Sequence, residues 1–128
     1  MNPQLVLTVI GAVNILMGVA IFIGAENIVT GGAFVDNLIT PESIKVGVYM
    51  HEALAASMIA IGFVAMLNRE METAPARKLL FGMGVAYVIN LGSIGLHIFN
   101  PEVNPPLPAV LIVLIMAGIA FYTSNAPE

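Results

Sequence analysis

Residues 5–24, LVLTVIGAVNILMGVAIFIG, carry no ionisable side chain over twenty consecutive positions. A helix needs about 20 apolar residues to cross the hydrocarbon layer of a bilayer, so this stretch can span one unaided. Three further apolar stretches follow at residues 44–67, 79–99 and 107–122. In lipid every backbone amide must find its partner inside its own segment, so runs of this length and separation read as helices and not as strands. The expected fold is all-α: an integral membrane four-helix bundle, up-down-up-down, forming one transmembrane domain over residues 1–128.

Composition points the same way. The chain is 59% hydrophobic and 9% charged, with a mean hydropathy of +0.95, whereas a soluble domain carries roughly 25% charged residues. So few polar residues cannot coat a core, and the lipid bilayer is the expected covering. With four basic residues and a net charge of -4, the chain lacks the lysine and arginine stripe that nucleic acid binding needs, and that partner is excluded. The absence of cysteine removes disulfides, thiolate ligands and thiol redox chemistry. The first apolar stretch has neither a basic flank nor a small-residue cleavage site, so a retained helix is expected and not a signal peptide.

Thr40-Pro41-Glu42 is a helix-start signal, Ala74-Pro75 opens the third span, Asn100-Pro101 closes it and Asn104-Pro105-Pro106 precedes the fourth. Arg69, Arg77 and Lys78 cluster in or beside the second connection, with Lys45 the only other base. The bias of basic loops toward the cytoplasm then places this connection and both termini inside. The connection from Ala25 to Ser43 and the turn Asn100 to Asn104 would face outward. In the former, Gly31-Gly32 followed by Ala33, Phe34, Val35, Leu38 and Ile39 suggests a short interfacial helix acting as a lid.

Polar side chains inside a span need a partner or a water-filled cavity, which makes each a candidate site. Asn14 and Asn90 fall near the middle of the first and third spans and could bond to each other, a contact whose commonest use is packing. Asn90, Ser93, His97 and Asn100 form one stripe on the third helix. On the second, Gly47, His51, Ala55, Met58 and Gly62 form a face of small residues that would admit a neighbouring helix or a flat cofactor. If the second and third helices are antiparallel neighbours, His51, Glu52 and His97 meet in one outer pocket. Asn90 and Ser93 would lie below it as further cofactor-binding residues.

Two chemistries suit such a pocket. His51 and His97 could ligate a metal or haem iron, since neutral imidazole suits zinc, copper and iron. Alternatively, histidine and glutamate could pass protons to and from a quinone. Against both stands a bland reading: His51 and Glu52 are hydrated at headgroup level and His97 caps its own helix end. The methionines are scattered without a repeated spacing and read as core filler. Neither a phosphate loop nor a serine nucleophile elbow occurs in the sequence.

From about Val46 to Tyr122 the chain resembles the DoxX-like group of small four-helix membrane proteins. The matching features are a glycine and then a glutamate inside an apolar run (GVYMHEALAASMIAIGF, residues 47–63), a third span ending in histidine (NLGSIGLHIF, residues 90–99), a proline-containing turn and a final apolar helix. Glu52 and His97 are the positions that match. The resemblance implies a compact bundle in the cytoplasmic membrane and, for some members, association with quinone-linked oxidoreductases such as those of thiosulfate oxidation. This chain departs in placing His51 directly before the glutamate and in lacking cysteine, which sets thiol chemistry aside.

The expectation is therefore a multi-pass protein of the cell membrane that acts as an accessory or structural subunit, with other membrane subunits or self-association as its partners. The alternative is a redox or ligand-binding protein holding haem, metal or quinone at the outer pocket. If the chain belongs to an enzyme, it would be as a component of a quinone-linked oxidoreductase. A homo-oligomeric channel or carrier ranks last, because the inner half offers an ion almost nothing to replace its water.

Overall fold

The computed structural model describes residues 1–31, 40–97 and 107–126, and shows four α-helices: α1 (Pro3–Thr30), α2 (Pro41–Leu67), α3 (Thr73–His97) and α4 (Leu107–Ser124). All four are long and apolar enough to cross a membrane.

Local chemistry explains where the helices begin. Asn2 caps α1, its side-chain oxygen accepting from the backbone N–H of Gln4 at 2.9 Å and of Leu5 at 3.3 Å, with Pro3 opening the first turn. Thr40 caps α2 through a reciprocal box. Its hydroxyl accepts from the Ser43 N–H at 3.1 Å, while the Ser43 hydroxyl accepts from the Thr40 N–H at 3.3 Å. Glu42 in this first turn meets the positive end of the helix dipole. Pro75 lies in the first turn of α3, as its sequence signal implies.

The first helix is longer than its apolar run. Ala25 to Thr30, read from sequence as the start of an outer connection, are helical, and the helix closes where the Gly31 N–H donates to the Asn27 carbonyl at 2.9 Å. The first charge, Glu26, ends the apolar run but does not end the helix; backbone pairing continues as far as Gly31. At ~1.5 Å per residue α1 is about 42 Å long, well beyond a hydrocarbon layer. The suggested lid, residues 32–39, lies outside the described residues, as do the Asn100-Pro101 stop and the turn that follows it.

α1 is the hub. It packs antiparallel on α2 along a seam of small residues spaced seven apart, Gly11 and Gly18 on α1 against Gly62 and Ala55 on α2. A Cβ on Gly11 would lie 2.9 Å from the Gly62 carbonyl oxygen, one on Gly62 would lie 2.8 Å from that of Gly11, and one on Gly18 would lie 2.8 Å from that of Ala55. Two backbones can come this close only where side chains are missing, and the approach adds dispersion and Cα–H···O contacts.

On its other side α1 runs in the same direction as α3. The Gln4 side-chain amide donates to the Met71 carbonyl at 3.0 Å near one end of the pair, and Asn14 meets Tyr87 further along. α3 and α4 pack through an edge-to-face pair, Phe81 and Phe121, with ring centroids 5.6 Å apart. The Phe121 ring also fills the notch at Gly84, where a Cβ would meet it at 3.0 Å. The core between α1, α3 and α4 gathers Leu7, Ile10, Leu80, Met116 and Ala120, and α2 adds only Ala65 to it. Among the described residues no Cα of α2 comes within 8 Å of α3 or α4, so α2 leans on α1 alone.

Candidate functional site

The polar centre of the bundle is Asn14, which is 2% exposed. Its side-chain amide donates to the Tyr87 hydroxyl at 2.6 Å and to the Ile10 carbonyl at 2.9 Å. The pairing of Asn14 with Asn90 expected from sequence is not formed. The stripe of α3 turned toward α1 and α4 holds Ala76, Leu80, Met83 and Tyr87, and Asn90 falls off its edge. The long tyrosine side chain delivers its hydroxyl to the depth that the asparagine of the next turn misses.

Asn90 and Ser93 are exposed instead, and neither side chain makes a hydrogen bond among the described residues. Gly82 and Gly92 of the same helix have open space where a Cβ would stand. α3 thus presents two polar side chains and small residues outward, away from its own bundle.

His51 and Glu52 are half-buried on α2. The Nδ1 atom of His51 lies 2.8 Å from the Gly47 carbonyl oxygen, so the imidazole is anchored along its own helix at the very glycine that sequence reading kept open for a flat ring. Glu52 lines an open recess of about 310 Å³ between α1 and α2, together with Glu26, Ile44, Lys45, Val48 and Tyr49. The premise that α2 and α3 are neighbours sharing a surface is corrected, because the glycine seam draws α2 onto α1. The residues that join Glu52 are accordingly Glu26 and Lys45. The side chain of His97 lies outside what the structure describes. No group of three His, Cys, Asp or Glu residues is close enough to hold a metal among the described residues.

Glu26, Lys45 and Tyr49 escaped the sequence reading, as did Tyr87. One signal was available for the recess: Lys45, Tyr49 and Glu52 stand at i, i+4 and i+7, one face of a helix. Another was the matched seven-residue spacing of Gly11 and Gly18 with Ala55 and Gly62, which pairs the first two helices in register. At the opposite end of α2, Arg69 and Glu70 form an exposed ion pair at 3.9 Å, a contact worth little in water.

No protein-family model matches the chain, and no curated protein or solved structure is significantly similar to it.

Proposed function

We propose that the chain is a multi-pass protein of the cell membrane, with the Arg69 to Lys78 end and both termini cytoplasmic. It serves there as an accessory or structural subunit that docks partner helices on the outward face of α3. The clustering of three of its four bases at one end supports the orientation. The observation that carries the function is the exposure of Asn90 and Ser93, without hydrogen-bond partners among the described residues, within a span. Hydrocarbon offers such groups no hydrogen bonds, and a neighbouring helix approaching over Gly82, on the same side of α3, does. Other membrane subunits or a second copy of the chain supply that helix. The likeness to the DoxX-like group supports a quinone-linked redox complex as the setting, with the chain itself non-catalytic.

The test is Asn90→Leu combined with Ser93→Ala, analysed by native size in mild detergent. The parent should migrate as an assembly and the variant as a monomer of unchanged helicity; identical sizes for the two would count against docking at this face.

A second reading, a redox or ligand-binding protein holding quinone, haem or metal at the opposite end from the bases, is favoured by the recess beside Glu52. An optical spectrum and quinone extraction of gently prepared membranes test it. A Soret band or quinone in proportion to protein supports it, and the absence of both removes its cofactor.

A further inference from the structure

We propose that the recess between α1 and α2 binds the ammonium group of an amphiphilic amine, with Glu52 as its counter-charge. The site is separate from the α3 face, and it rests only on the reading that the helices cross a bilayer.

The depth of Glu52 follows from the helix seam. Gly18 meets Ala55 and Gly11 meets Gly62 in antiparallel register, so three residues back from Ala55 sets Glu52 level with Ile21. α1 has no charged residue between Gln4 and Glu26, and the run from Leu5 to Ala25 is about 31 Å long, the thickness of a hydrocarbon layer. Glu26 therefore marks one boundary of that layer. Glu52 lies about 7 Å inside it. Carboxylates in this position are costly and face a partner or a cavity. Glu52 makes no ion pair or hydrogen bond among the described residues, and it faces a cavity.

The lining selects the ligand. Of its three charged residues two are carboxylates, so the recess carries a formal charge of one negative unit and favours a single positive charge. Calcium and magnesium take six or more oxygens, and the recess supplies two carboxylates with the Lys45 ammonium beside them, which disfavours a dication. Ile44, Val48 and Tyr49 make the walls apolar, and Tyr49 adds an aromatic ring to which an ammonium is attracted. A volume of about 310 Å³ takes a headgroup but not an acyl chain, and the recess is open, so the tail stays in lipid. The ammonium belongs either to an aminophospholipid, whose phosphate Lys45 at the rim would hold, or to a free single-chain amine.

The full chain in nanodiscs separates these sources. In one arm, lipid retained after delipidation is counted for phosphatidylethanolamine against phosphatidylcholine; in the other, dodecylamine is titrated into phosphatidylcholine discs by calorimetry. The expected result is preference for one or both amines, reduced at least about tenfold by Glu52→Gln, since a hydrogen-bonded charge contact is lost. Glu52→Asp, which keeps the charge, should fall between, and Glu70→Gln should behave as the parent. A further loss with Lys45→Gln confined to phosphatidylethanolamine identifies the lipid headgroup. Indifference to Lys45→Gln with dodecylamine bound identifies the free amine. Equal retention of both lipids with no dodecylamine heat beyond that of protein-free discs overturns the proposal, and so does binding unchanged in Glu52→Gln.

Discussion

Substituting Gly62 by alanine tests the seam on which the arrangement of α2 depends. The new Cβ would stand 2.8 Å from the Gly11 carbonyl oxygen and 2.6 Å from Cγ1 of Ile15. The isoleucine can shift; the carbonyl belongs to the α1 backbone and moves only if the two helices separate. Overpacking of this kind costs about 1–3 kcal/mol. Alanine also gains up to about 1 kcal/mol over glycine in helix propensity, which partly masks the clash. Gly118→Ala in α4 supplies the correction, because a Cβ there meets nothing within 4 Å and the substitution carries the propensity gain alone. The difference between the two variants should therefore be about 1–3 kcal/mol, with Gly62→Ala the less stable. Unfolding in mixed micelles by increasing mole fraction of dodecyl sulfate, followed by circular dichroism, measures it. The double variant Gly11→Ala with Gly62→Ala should cost less than the two singles together, since one separation of the helices relieves both clashes. Gly62→Ala as stable as Gly118→Ala would refute the close approach of α1 and α2.

Tyr87→Phe removes the hydroxyl that accepts from Asn14 and should destabilise the bundle by about 0.6–2 kcal/mol in the same titration, while Asn90→Leu leaves the isolated bundle unchanged. Thr123 is fully buried and its hydroxyl has no hydrogen-bond partner among the described residues; Thr123→Val should stabilise the chain by roughly 1 kcal/mol, because an unpaired polar group is replaced by a methyl of the same shape. Gln4→Leu breaks the tie to the Met71 carbonyl and should speed hydrogen exchange at Met71 and Glu72 with a change of less than about 1 kcal/mol in overall stability.

The helices were legible in the sequence because length and polarity alone decide them. Four apolar runs separated by charges, prolines and glycines admit few other structures, and Thr40, Pro41 and Pro75 mark starts that the backbone respects. The end of α1 was misplaced because hydropathy reports where charge begins, and Glu26 begins it well inside a helix that backbone pairing carries to Thr30. Neighbour relations were harder to see. Antiparallel order suggests that α2 lies beside α3 as readily as beside α1, and only the matched spacing of Gly11 and Gly18 with Ala55 and Gly62 settles the matter. Once α2 is drawn onto α1, Glu52 faces Glu26 and Lys45. The Asn14 partner was missed for a related reason: depth was judged from residue number, while the reach of the Tyr87 side chain decides which hydroxyl or amide arrives.

The absence of cysteine makes topology directly measurable in living cells. Glu72→Cys and Glu42→Cys, each a single thiol in an otherwise thiol-free chain, are labelled with a membrane-impermeant maleimide before and after the membrane is opened. Four spans with the basic end inside require Glu42→Cys to react in intact cells and Glu72→Cys to react only after opening. Labelling of Glu72→Cys in intact cells, or equal labelling of both thiols in a lipid-free soluble fraction, would contradict the claim.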